Sequence, residues 1–176
     1  MSKRPRLLQL ALVWMSLTTV VHAGHESTGF SIYLVRHAEK ETAATDLRDP
    51  PLSPCGELRA GALATMLKDV ELERVYSTPY ERTRMTASAV ADSHQLVLET
   101  YDPRNLEGFA ALLLESQQHS LVVGHSNTTG VLAALLAGEA GEEFGEDEYD
   151  RLYVVTRFGN RGKMILLNQA FNCQQQ

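Results

Sequence analysis

Several things are scarce in this sequence, and each scarcity excludes a reading. Basic side chains are outnumbered, with 16 Lys and Arg against 22 Asp and Glu. No basic stripe interrupts that balance, so the sequence is not that of a nucleic-acid binder. Cysteine occurs only at Cys55 and Cys173. The zinc-deaminase pattern H-x-E…P-C-x-x-C, begun by His37-Ala38-Glu39 and Pro54-Cys55, therefore stops at Leu58, where its last cysteine belongs. Histidine is absent beyond His125. Gly124-His125-Ser126-Asn127-Thr128 looks like a serine-hydrolase elbow, but that fold orders its triad serine, acid, histidine, and no histidine follows Ser126. The single tryptophan, Trp14, lies near the amino terminus, in the one long apolar stretch.

That stretch reads as a secretory signal peptide, residues 1–23. Lys3, Arg4 and Arg6 precede an apolar run from Leu7 to Val21, and Val21-His22-Ala23 offers small residues for cleavage. It is too short and too polar at its end for a comfortable membrane span. Cleavage after Ala23 removes three basic and no acidic side chains, taking the formal net charge from −6 to −9. The expected location is periplasmic or secreted, with no stable membrane association. In such an oxidising compartment Cys55 and Cys173 have the opportunity to pair, although their spacing does not say whether they meet. The Asn127-Thr128-Thr129 sequon is too short a match to carry weight.

After a polar leader at 24–29, residues 30–176 have the length and the 44% apolar content of one globular domain. Short apolar runs alternate with helical patterns. Ile32 to Val35, Arg74 to Ser77, Leu96 to Tyr101 and Leu121 to Val123 read as strands. Ser53-Pro54 opens a helix with Leu63, Met66, Leu67 and Val70 on one face. Thr78-Pro79-Tyr80-Glu81 reads as a capping box opening a second. Leu106 to Ser116 and Thr128 to Leu136 are helical, and Leu152 to Thr156 and Met164 to Leu167 are closing strands. The dense acids of 139–150 read as a solvated loop. The alternation predicts an α/β fold, a three-layer αβα sandwich on a mostly parallel central sheet.

In such sheets ligands bind outside the carboxyl ends of the strands. There the sequence places Arg36-His37, then Arg82 in the first turn of a helix, then His125. A phosphoester needs cations around its oxygens, a nucleophile in line and a proton donor for the leaving oxygen. Singly, each residue has an ordinary explanation; together they suit that ligand.

Arg36-His37-Ala38-Glu39-Lys40, Ser77-Thr78-Pro79 through Ala87, Gly124-His125-Ser126 and Leu52-Ser53-Pro54-Cys55-Gly56 resemble, in order and spacing, the motifs of the histidine phosphatase (phosphoglycerate-mutase-like) superfamily. The departures are Ala38 for a frequent glycine, Arg59 for glutamine and Met85 for glutamine. The resemblance implies a small single-domain phosphomonoester hydrolase, too short for a cap domain, whose fixed cations need no metal or other cofactor. His37 would become phosphohistidine; Arg36, Arg82 and His125 would bind the phosphoryl oxygens, with Lys40 adding charge at the mouth. The general acid is expected to be Asp102, at a strand end like the other site residues, with Glu107 one turn later as the alternative. The expected partner is a phosphorylated small metabolite, an envelope sugar phosphate or a phosphoprotein. The rival is a non-catalytic phosphate-binding protein on the same scaffold.

Overall fold

The computed structural model describes residues 29–173; the expected signal peptide and most of the leader lie outside them. Ten elements follow one another: β1 (Phe30–Arg36), α1 (Pro54–Leu67), β2 (Arg74–Ser77), α2 (Glu81–His94), β3 (Leu98–Thr100), α3 (Leu106–Ser116), β4 (Ser120–Gly124), α4 (Thr129–Ala137), β5 (Arg151–Phe158) and β6 (Arg161–Asn168). The sheet runs β3-β2-β4-β1-β5-β6. Its first four strands are parallel, and β5 is antiparallel to both β1 and β6. Gly159, at φ +55°, turns that hairpin, a conformation that favours glycine.

The strand period of two divides the core between the faces. Ile32, Leu34 and Val122 pack with Phe109 and Leu113 of α3 and Leu132 and Leu136 of α4. Val35, Leu121 and Val123 pack on the other face with Leu63 and Leu67 of α1 and Val90 of α2. This is the three-layer sandwich expected. Since β1 and β4 are neighbours whose following helices leave to opposite faces, a crevice opens between their carboxyl ends. No described helix is long and apolar enough to cross a membrane.

Three local expectations need correction. α2 starts at Glu81, and the supposed box residue Thr78 instead bonds Thr83 through its hydroxyl at 2.7 Å. The cap comes from outside, the Glu81 N–H donating to Asp49 Oδ1 at 2.8 Å. The third strand is shorter than the apolar pattern, three residues rather than 96–101. The acidic stretch 139–150 is no free loop: its second half folds over the end of β1. By contrast Ser53 caps α1 as expected, accepting from Gly56 N–H at 3.2 Å. Cys55 and Cys173 are joined in a disulfide, Cα atoms 5.7 Å apart.

Candidate active site

β1 pairs with β4 so that Arg36 lies opposite Gly124. The residues that follow, His37 and His125, thus leave adjacent strands at one level, their rings 5.4 Å apart and edge to face. The His37 N–H extends the ladder to the Gly124 carbonyl at 2.9 Å. A Cβ on Gly124 would meet Thr128 Oγ1 at 2.9 Å and Tyr101 Oη at 2.9 Å, so a side chain there would have to displace those hydroxyls.

His37 is 3% exposed. Its Nδ1 lies 2.7 Å from the Ala38 carbonyl oxygen, which can only accept. That contact puts the proton on Nδ1 and leaves the Nε2 lone pair free. Burial first, then Arg36, His125 and Arg82, pushes the pKa of His37 down to about 3 against the raising effect of the Ala38 bond. At neutral pH the imidazole is uncharged, with Nε2 available to a ligand. Thr86 fixes the loop behind it, accepting from Ala38 N–H at 3.0 Å and donating to the Arg82 carbonyl at 2.8 Å.

The cations converge on this ring. Arg82 is anchored by Asp49 at 3.5 Å and lies over the Tyr80 ring at 4.8 Å. Arg36 gives Nη1 to the carbonyls of Gly145 and Glu148, both at 3.1 Å, and stacks on Tyr149 at 4.2 Å. His125 is pushed down to about 4 by burial and by both guanidiniums. Arg36 Nε, Arg82 Nε and His125 Nε2 are buried without a hydrogen-bond partner. Leaving such atoms unpaired costs about 1–3 kcal/mol each, so the arrangement suits an anion that pairs with them. Tyr80, Arg82, Arg104, His125 and Asn127 line a cleft of about 300 Å³ here. A larger groove of about 700 Å³ runs along α2 past Asp49, Arg84 and Asp92, away from His37.

Residues 32–105 match the profile of the histidine phosphatase superfamily, branch 1. Over these residues the chain is similar to that superfamily. Phosphoserine phosphatase 1 of Hydrogenobacter thermophilus is 39% identical over 69 residues, 37% of this chain and 33% of that relative, so the match spans a third of its length. The protein histidine phosphatase SixA, solved with tungstate, superposes with a TM-score of 0.65 at 24% identity over 80% of this chain and 97% of its own. The alpha-ribazole phosphatase from Shigella flexneri gives 0.66 at 19% over 79% and 96%. These likenesses carry the fold past residue 105, through β4 and His125.

The motifs within the matched residues acquire physical reasons. A Cβ on Gly56 would collide with the Glu39 carbonyl oxygen, and Ser53 N–H and Oγ donate to that oxygen at 2.9 and 3.2 Å. Arg59 pairs with the Glu39 carboxylate at 2.7 Å. The start of α1 therefore clamps the backbone two residues past His37. The departures are absorbed: Ala38 is fully buried against Leu52 and Ala60, and Met85 Sδ accepts from Leu52 N–H at 3.4 Å.

Of the residues expected in the site, Arg36, His37, Arg82 and His125 are brought together, with Lys40 at the edge. Asp102 is not part of the group. Its carboxylate is spent on Arg104, at 3.0 Å on each oxygen, and those bonds hold it below the usual carboxylate range. Exposed and bound to Arg104, it does not line the cleft. Glu107 is exposed in the first turn of α3 and does not line the cleft. Residues not anticipated are Asp49, Ser126, Glu146 and Tyr149. Among the described residues the one cluster spaced to hold a metal is Glu39, Cys55 and Cys173. Its sulfurs are bonded to each other, so it does not fit a metal in the oxidised protein.

Proposed function

We propose that this protein is a phosphatase that hydrolyses phosphate monoesters through a phosphohistidine on His37 Nε2. The carrying observation is a buried, neutral imidazole with a free lone pair beside three buried nitrogens that lack partners. Arg36 and Arg82 neutralise the phosphoryl oxygens, and His125 Nε2 is positioned to pair with one of them. Water then attacks phosphorus and returns His37 to its starting state. These fixed cations supply the charge neutralisation that a metal would otherwise provide.

The test is to trap labelled enzyme from a labelled aryl phosphate in the presence of EDTA. Acid-labile, base-stable label that is absent from His37→Ala supports the reading. Binding of phosphate without turnover would establish the non-catalytic alternative, and label persisting in His37→Ala would move the nucleophile elsewhere.

The substrate is a phosphorylated small metabolite, an envelope sugar phosphate or a phosphoprotein. Among the described residues no separate domain covers the site, which accommodates any of them. Export through the segment 1–23 is part of the same proposal, and the Cys55–Cys173 disulfide supports it, since such bonds persist in oxidising compartments. Exported protein should lack tryptophan emission, because Trp14 leaves with the signal peptide; a tryptophan spectrum from that material would count against cleavage.

A further inference from the structure

The acid that neither Asp102 nor Glu107 supplies has a candidate on the segment between α4 and β5. Residues 145–149 form a strap across the end of β1. It is pinned by Arg36, whose guanidinium donates to the carbonyls of Gly145 and Glu148 and stacks on Tyr149. The strap also closes on itself, Gly145 N–H donating to Glu148 Oε1 at 2.8 Å and Glu148 Oε2 accepting from Arg151 Nε at 2.7 Å. One side chain from this strap reaches back into the cation cluster. The Glu146 carboxylate accepts from Arg36 Nη2 at 3.2 Å and from Ser126 Oγ at 2.8 Å, with Lys40 Nζ at 3.9 Å.

We propose that Glu146 is the proton donor to the leaving oxygen, presented by the strap and oriented by Ser126, Arg36 and Lys40. This rests on the phosphatase reading above. Its position suits the task. His37 lies on the floor of the site, 3% exposed, whereas the Glu146 side chain is 77% exposed at the mouth. A nucleophile attacking from the floor expels its leaving group toward the mouth, since the entering and departing atoms lie in line.

The protonation states also suit it. In the free protein the Ser126 bond, then Arg36, Lys40 and Arg82, hold the Glu146 carboxyl below its usual range. A phosphate bound on Arg36 and Arg82 takes over those cations and adds like charge nearby. Both changes favour the protonated carboxyl, so bound substrate moves the acid toward the form that can donate. In the first step His37 Nε2 forms a bond to phosphorus and the ester P–O bond breaks. Its electron pair stays on the leaving oxygen, which takes the proton from Glu146. In the second step water attacks phosphorus and gives a proton to the Glu146 carboxylate, and the P–N electron pair returns to Nε2. Both acid and imidazole are then restored.

The alternative for the same contacts is a plug, a carboxylate competing with phosphate for Arg36. The two are separated by comparing wild type, Glu146→Gln and Asp102→Asn on a series of phosphate esters from p-nitrophenyl to alkyl. Glutamine keeps the acceptor for Ser126 but has no proton to give, so the fold is retained; inhibition by inorganic phosphate confirms an intact site.

If Glu146 is the acid, Glu146→Gln loses about 100-fold or more in kcat/KM on alkyl phosphates. It loses less than about five-fold on p-nitrophenyl phosphate, whose leaving group needs no proton, and Asp102→Asn loses little on either. Equal losses across the series, or a rise in kcat/KM from removing a plug, would overturn the assignment. So would a leaving-group-dependent loss in Asp102→Asn instead. Wild-type protein that turned over none of the esters would defeat the phosphatase reading itself, which is a different result from any of these.

Discussion

Two neutral histidines in the site should leave a signature in stability before any substrate is added. An unfolded imidazole takes up its proton near pH 6.5. In the folded protein His37 does so only near pH 3 and His125 near pH 4. Between these values the unfolded chain binds more protons than the native one, so stability rises with pH across the window and is lost as pH falls. From pH 7 to pH 5 the linkage gives about 2 kcal/mol for His37. His125 is only half-buried and is discounted to about 1 kcal/mol for solvent screening. A loss of about 3 kcal/mol is a substantial part of the roughly 5–15 kcal/mol that holds a domain folded. Carboxylates with depressed values, Glu146 among them, act in the same direction but only at lower pH, so they do not obscure the window. The assay is urea unfolding at half-unit steps from pH 5 to pH 8, on wild type and on the His37→Asn/His125→Asn pair. Wild type should lose stability toward pH 5 and the double variant should be flatter by about 3 kcal/mol. Parallel curves would refute the neutral state of these rings.

Two further outcomes follow from contacts around the site. Asp49→Ala removes both the cap of α2 and the anchor of Arg82; it should cost about 1 kcal/mol in urea unfolding and raise KM more than it lowers kcat, whereas an unchanged KM would make Asp49 a cap alone. Reducing the Cys55–Cys173 bond, or replacing Cys173 by Ser, opens a loop of 118 residues and should cost about 3–5 kcal/mol on the chain-entropy account. Equal denaturation midpoints with and without reductant would show that the disulfide contributes nothing.

The parts of the site legible in the sequence are those that strand ends deliver. Arg36, His37 and His125 follow directly from apolar runs whose register a parallel sheet fixes, and Arg82 from a helix whose existence, though not whose first residue, was clear. Local patterns failed where a distant segment supplies the partner. Thr78 carries the letters of a capping box, yet the cap is Asp49, brought from 32 residues away. Asp102 sits at a strand end as an acid should, but Arg104, two residues on, claims it. The acidic run 139–150 gave no sign that it folds back, because the residue that holds it, Arg36, is more than a hundred positions earlier. The density of charge there suggested repulsion; a single buried guanidinium reverses that locally. A disulfide between Cys55 and Cys173 was likewise an opportunity in the sequence and became a fact only through the fold.

Keeping both histidines neutral also sets how the site should respond to an anion. His125 is held low by burial, Arg82 and Arg36, against the opposing effects of Glu146 and Asp49, and it faces the neutral His37 ring. A dianion placed against its unpartnered Nε2 compensates the guanidiniums and offers an acceptor to the protonated ring, so it raises this pKa. Binding near pH 5 to 6 should therefore take up a proton. Sulfate is the suitable probe, because it stays a dianion over that range while phosphate does not. Its association constant should climb as pH falls from 7 to 5, approaching about tenfold per unit where one full proton is taken up. Calorimetry in buffers of differing ionisation enthalpy reads the uptake directly. His125→Asn should abolish most of it while leaving weak sulfate binding on Arg36 and Arg82. An uptake unchanged in that variant would assign the proton to His37, and sulfate affinity independent of pH would mean that neither ring responds to the anion.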